Sequence, residues 1–264
     1  MGLEPITLAA PHQVRWSFTC QVWRDVVFVH WPCAAREIEA VLPPRTRPDL
    51  FDGTAWVGVV GLGMVVTSPL RMRFTEVNVR TFAVDEHGRR GLVFLSLEAS
   101  HPAFVRLARA VGRLPYRSAA VECSLTATET AYRVERSGIG LSIRIQRRER
   151  VVPTSADRFL TARWRMFSTW RRWPVEFPVE HEPWALDSAE LLDFDDAGLL
   201  GEFGIAPPSR AVVRFASRVD ARFGLPAPVS RRGGPGSVWG AGPPVSRKRR
   251  SNGHLPPTSR STQA

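Results

Sequence analysis

The stretch Phe74-Thr75-Glu76-Val77-Asn78-Val79-Arg80-Thr81-Phe82 alternates polar and apolar residues with the period of a β-strand. Glu76, Asn78 and Arg80 therefore share one face, bracketed by Phe74 and Phe82. Val77, Val79 and Thr81 take the other. The next run, residues 92–100, alternates in the same way: Val93, Leu95, Leu97 and Ala99 against Phe94, Ser96, Glu98 and Ser100. The linker Asp85-Glu86-His87-Gly88-Arg89-Arg90 is short, polar and contains Gly, so the two runs predict a β-hairpin. If the two polar rows share a face, Asn78 lies near Glu98 and Arg80 near Ser96, diagonal to Glu98.

Outward from this hairpin the chain is rich in strands. Residues 21–31, 54–66, 141–146, 163–173, 175–182, 186–194 and 211–217 carry Val, Ile, Phe and Trp in strand-like patterns. Residues 34–42 and 103–111 predict short helices, and Ser155 is placed to cap a third. Residues 195–200 predict a short helix or turn. Gly58, Gly61 and Gly63 interrupt an apolar strand, which signals a bulge or a close backbone approach. No helix of ten or more residues separates consecutive strands, so a doubly wound parallel sheet does not fit. The pattern predicts an α+β fold: a mostly antiparallel curled sheet or barrel-like β core with a few short peripheral helices.

Composition narrows the function. The chain has 264 residues and a net charge of +11. Seven of those charges lie in residues 230–264, which contain no acid, leaving +4 for residues 1–229. That is not the charge footprint of a nucleic-acid-binding body. Of the 36 basic residues all but Lys248 are arginine. Residues 230–264 are Gly, Pro, Ser and Arg with little to bury, and predict a disordered basic tail. Residues 1–12 predict a flexible arm. Cys20, Cys33 and Cys123 are odd in number and widely spaced, which suits neither a disulfide scaffold nor a zinc site. There is no secretory pattern at the start and no apolar run of membrane-spanning length. A cytoplasmic protein is expected, with no metal, no cofactor and no membrane partner.

Seven ordered segments carry a family likeness. They are Val29-His30-Trp31-Pro32, Leu42-Pro43-Pro44, Phe51-Asp52-Gly53-Thr54-Ala55-Trp56-Val57-Gly58, Glu76-Val77-Asn78-Val79-Arg80-Thr81, Phe94-Leu95-Ser96-Leu97-Glu98-Ala99, Leu114-Pro115-Tyr116 and Glu182-Pro183-Trp184. Together they resemble the YqjF-like family, also called domain of unknown function 2071, over residues 15–229. The resemblance implies a domain at 13–229 with a fold similar to acetoacetate decarboxylase, a curled sheet around a central cavity. It implies no particular reaction. Acetoacetate decarboxylases use a buried lysine that forms a Schiff base, which requires a primary amine of lowered pKa. The only lysine here is Lys248, in the tail. Imine chemistry therefore does not suit this chain.

The candidate catalytic residues are Glu76, Arg80 and Glu98, with Asn78 and Ser96 as ligand contacts. Arg80 would hold a carboxylate or carbonyl oxygen while Glu76 or Glu98 handles a proton. The same residues could instead form a buried network that only fixes sheet register. On that second reading, Arg80→Ala costs on the order of 3–5 kcal/mol by leaving buried carboxylates unpaired. Trp31, Trp56, Tyr116 and Trp184 are candidates for an apolar pocket wall. Three functions stay open: a small-molecule-binding protein, including a lysine-independent enzyme on an oxo or carboxylate compound; a non-catalytic ligand-binding or interaction module; and tail-mediated association with nucleic acid. A homo-oligomer is compatible with each.

Overall fold

The computed structural model describes residues 2–170 and 173–229. The expected tail at 230–264 lies outside the described residues. The strands are β1 (Ser17–Cys33), β2 (Thr46–Pro48), β3 (Ala55–Ser68), β4 (Met72–Asp85), β5 (Arg90–Ala99), β6 (Tyr116–Ser118), β7 (Ala120–Leu125), β8 (Glu129–Arg136), β9 (Ile139–Arg150), β10 (Arg165–Trp170), β11 (Trp173–His181), β12 (Asp187–Ala197), β13 (Val212–Gly224) and β14 (Ala227–Pro228). The helices are α1 (Ala35–Glu39), α2 (Pro102–Gly112) and α3 (Ser155–Thr161). The fold is α+β, as the strand-rich pattern predicts.

One mixed sheet carries nearly all of it. Its strands lie in the order β14-β11-β10-β5-β4-β3-β1-β13-β12-β9-β8-β7, and β11 pairs with β13 as well as with β10. That second pairing, Val179 to His181 against Ala221 to Phe223, bends the middle of the sheet into a barrel-like curl. Among the described strands β10–β5 and β5–β6 pair in parallel and the other ladders are antiparallel, with one isolated parallel bridge between Gly140 and Gly198.

The four strands β1, β3, β4 and β5 are covered on both faces. One face lines the inside of the curl with Val26, Phe28, Val60, Leu62, Met64 and Leu97. The other carries Val27, Val29, Val57, Val59, Val77 and Val79, which pack on Tyr132, Leu141 and Ile143 of β8 and β9. A strand buried on both faces loses the apolar–polar alternation of a half-exposed strand. This is why residues 26–29 of β1 and 55–66 of β3 carry no polar side chain.

Two glycines make that packing fit. A Cβ on Gly61 would lie 2.5 Å from the Tyr132 ring, and one on Gly58 would lie 2.1 Å from the His30 ring. Both are close approaches of the kind the sequence signalled. Gly63 meets only ordinary contacts. Two local expectations are corrected. The helix α3 is capped by Thr154, whose Oγ1 accepts from the Asp157 N–H at 3.1 Å, rather than by Ser155. The segment after Phe194 continues as strand to Ala197, because it stays paired with β9, and only Gly201–Phe203 turns helically.

Val229 is buried, and its N–H donates to the Pro174 carbonyl at 3.0 Å. We expect residues 1–229 to fold alone. A chain ending at Val229 should melt within a few degrees of the full chain. A large drop, or loss of soluble protein, would show that residues 230–264 contribute to the fold.

Candidate ligand cavity

The hairpin β4–β5 forms as expected, but not in the expected register. Asn78 pairs with Leu97, Val77 with Glu98 and Val79 with Ser96, and a bulge then sets Arg80 opposite Phe94. The extra residue, Leu95, breaks the alternation between Phe94 and Ser96. Phe94 and Leu97 therefore face the inside of the curl with Glu76, Asn78 and Arg80, while Ser96 and Glu98 face the opposite core. The expectation that Glu98 and Ser96 neighbour Arg80 is thereby corrected: a strand's side-chain period is two, and one residue of slip exchanges its faces. Glu98 is fully buried on its own side. It accepts from Ser96 Oγ at 2.5 Å and from Arg136 Nε at 3.0 Å, and Arg136 also reaches Glu202 at 2.7 Å.

Inside the curl lies a cavity of about 160 Å³. Glu76, Asn78, Arg80 and Tyr116 line it, as does Trp184. The tryptophans Trp31 and Trp56 do not. Trp31 packs on Phe194 in the opposite core and donates to the Ala206 carbonyl at 3.1 Å. Trp56 packs beside the small cluster of Phe82, Phe159 and Leu160. Strand parity explains both: each sits on the wrong face or too far along its strand to reach the cavity.

Three cross-strand neighbours build the closed end. His30 on β1 pairs with Gly58 on β3, and Gly58 pairs with Arg80 on β4. With no side chain between them, the imidazole lies over Gly58 and meets the guanidinium. Arg80 Nη2 and Nε lie 3.1 and 3.4 Å from His30 Nε2, and Nη2 donates to the Leu160 carbonyl at 3.2 Å. Arginine can only donate, so His30 Nε2 accepts and its proton sits on Nδ1. Burial, and the nearby Arg80 and Arg163 charges, hold His30 well below the ordinary histidine range. The Arg80 guanidinium also lies 5.3 Å from the centre of the Phe28 ring.

Arg163, just beyond α3, is the second cation of the cavity wall. Its Nη1 donates to Asp49 Oδ2 at 2.6 Å and its Nε to the Phe159 carbonyl at 2.9 Å, while its buried Nη2 has no partner. Arg80 has no carboxylate partner among the described residues. Burial, reinforced by Arg163, lowers its pKa to about 9. Neither His30 nor Arg163 was among the candidate site residues read from the sequence. Gly58 was the one signal for His30, through its close approach. Arg163 had none, because α3 and β4 meet only through tertiary packing.

Glu76 sits further along β4. Its Oε1 accepts from Asn78 Nδ2 at 3.1 Å and its Oε2 from the Tyr116 hydroxyl at 2.9 Å. Burial raises its pKa to about 7, against the opposing pull of those two hydrogen bonds. Asn78 Oδ1 is buried without a partner. His181, also in the wall, is held near 4 by burial.

The raised Glu76 gives a signed pH dependence. Below about 4.5 the carboxyl is protonated in folded and unfolded chains alike, and it favours neither. Between 4.5 and about 7 the unfolded chain releases this proton while the folded chain keeps it, so stability falls as pH rises. Above that window the loss is complete, at about 3 kcal/mol. His181 works in the opposite direction, its contribution falling as pH drops from 6.5 toward 4. The difference between Glu76→Gln and the parent isolates the carboxyl. Urea unfolding should show Gln gaining about 3 kcal/mol on the parent between roughly pH 4.5 and 8. A gain below about 1 kcal/mol would mean that Glu76 is not held neutral by burial.

The comparisons with known proteins agree with this architecture. Residues 20–220 match the family DUF2071, described as an uncharacterized conserved protein. The chain belongs to this family. The uncharacterized protein YqjF of Bacillus subtilis (strain 168), a curated relative, is 29% identical over 220 residues, covering 77% of this chain and 89% of that one. Among solved structures, acetoacetate decarboxylase from Legionella pneumophila superposes with a TM-score of 0.61 at 12% identity, over 84% of this chain and 92% of that one. The enduracididine biosynthesis enzyme MppR complexed with pyruvate gives 0.60 at 14% identity, over 83% and 93%. These likenesses establish a shared fold. No helix among the described residues is long and apolar enough to cross a membrane.

Proposed function

We propose that the cavity binds a small oxo or carboxylate compound, with Arg80 taking an anionic oxygen and Glu76 able to exchange a proton with the bound molecule. One observation carries this reading. Arg80 is buried at the cavity wall beside a second arginine and has no carboxylate partner among the described residues. An unpaired buried charge costs several kcal/mol, and an anionic ligand is the partner that would offset it. Asn78 Oδ1 and Arg163 Nη2, both buried and unpartnered, add a free acceptor and a free donor to the same wall.

Glu76 suits proton exchange because a carboxyl with a pKa near 7 populates both forms at neutral pH. The chemistry would be acid–base rather than imine-based, since no lysine occurs in residues 1–247. A second reading, binding without turnover, is favoured by the Asn78 and Tyr116 hydrogen bonds that occupy both Glu76 oxygens. The fold is shared with MppR, solved with pyruvate, so pyruvate and longer 2-oxo acids are the natural first probes.

Thermal melting with and without these acids tests the reading, because a ligand bound only by the folded state raises the melting temperature. A rise with carboxylates, lost in Arg80→Met, is expected. No rise with any acid would defeat the proposal. Loss of substrate turnover in Glu76→Gln with binding retained would assign the proton-handling role; binding without turnover in the parent would leave the non-catalytic reading.

A further inference from the structure

The cavity is strongly one-sided. Its polar groups gather at the closed end, around Arg80, Arg163, Asn78, Glu76 and Tyr116. Following β4 away from Arg80, the inward residues become Phe74 and then Met72, and β3 presents Leu62, Met64 and Val66 alongside. The way out passes Phe18, Leu70 and Leu107, which are 39%, 55% and 43% exposed and still line the cavity. Two polar side chains at that outer part make contacts within the protein. Thr19 Oγ1 donates to the Ser68 carbonyl at 3.0 Å, and Gln21 Oε1 accepts from Trp23 Nε1 at 2.8 Å. From Arg80 to Met72 the strand advances roughly 26 Å.

From this polarity we infer that the preferred ligand is a medium-chain monocarboxylate, its acid group at Arg80 and its hydrocarbon chain running toward the Leu70 end. The inference rests on the reading of Arg80 given above and narrows it to a substrate class. A ligand as small as pyruvate would satisfy the cation and leave the apolar wall wet. A dicarboxylate of medium length would bring its second charge alongside Glu76 and the apolar Leu62 and Leu97, a second anion beside a carboxyl and away from Arg80. By the measure in which one water takes about 10–15 Å³, the cavity holds on the order of ten small groups, the size of an eight-carbon acid.

Calorimetric titration of the full chain with butanoate, hexanoate, octanoate, octanedioate and octanol tests the inference. Affinity should climb by up to roughly fourfold per added methylene from butanoate to octanoate. Octanedioate and octanol should bind at least about tenfold more weakly than octanoate, and Arg80→Met should weaken octanoate binding by about 100-fold or more. If pyruvate and butanoate bind as tightly as octanoate, the chain-length inference fails and the anion site stands. If octanol matches octanoate, or Arg80→Met retains it, the chain binds elsewhere and the inference fails. If no acid of any length binds, the anion site itself is wrong.

Discussion

Arg80→Met is expected to lose carboxylate binding by about 100-fold or more while leaving the fold nearly as stable as the parent. Removing one partner of a buried charged contact generally costs 2–5 kcal/mol of binding, which sets that scale. The stability side follows from what surrounds the guanidinium. On the sequence alone, truncating Arg80 would strand buried carboxylates and cost several kcal/mol. The register removes that argument, because Glu98 lies across the sheet and Glu76 is satisfied by Asn78 and Tyr116. Taking out Arg80 relieves an unpaired buried cation next to Arg163, which by itself is stabilising. Against this, the His30 Nε2 and the Leu160 carbonyl lose their donor, at about 1–3 kcal/mol each. The two effects oppose and are of similar size. Urea unfolding should shift by no more than about 2 kcal/mol in either direction. A destabilisation of 3–5 kcal/mol would mean that Arg80 carries a structural ion pair, and the anion site would lose its basis.

Gly58→Ala is expected to destabilise the chain by about 1–3 kcal/mol, the usual cost of overpacking a fitted core. The added Cβ would stand 2.1 Å from His30 Cδ2 and 2.7 Å from Nε2. The imidazole cannot retreat easily, since Phe28 and Phe82 lie 6.0 and 5.7 Å from it, centre to centre. Displacing His30 also moves the group that holds Arg80, so acid binding should weaken alongside stability. The double variant Gly58→Ala/His30→Ala separates these causes. It should be less destabilised than the two single changes combined, because the clash vanishes with the ring. A Gly58→Ala shift under about 0.5 kcal/mol, or strict additivity in the double variant, would show that the gap over Gly58 is not what seats His30.

Much of the architecture was legible in local pattern. Period-two alternation at 74–82, the Gly-bearing polar linker at 85–90 and the apolar runs at 21–31 and 54–66 gave the strands and the β4–β5 hairpin. Strand parity also placed Glu76, Asn78 and Arg80 correctly on one face, because parity within a strand is a property of the backbone alone. The same parity applied across two strands failed at Glu98 and Ser96. Register is set by which pairs meet and by a bulge at Leu95, and the alternating pattern of β5 fits either register equally well.

The sequence by itself determined an α+β, sheet-dominated chain, the inward row of Glu76, Asn78 and Arg80, and the absence of any lysine before residue 248. Only the tertiary structure decided that Glu98 pairs with Arg136 on the far side, that Tyr116 reaches Glu76, and that His30 and Arg163 surround Arg80. The physical reason is range. Dihedral preference and side-chain alternation act over a few residues and are written into any short window. The contacts of the cavity join β1, β3, β4 and the end of α3, with Arg80 and Leu160 80 residues apart, and exist only once the sheet has curled back on itself.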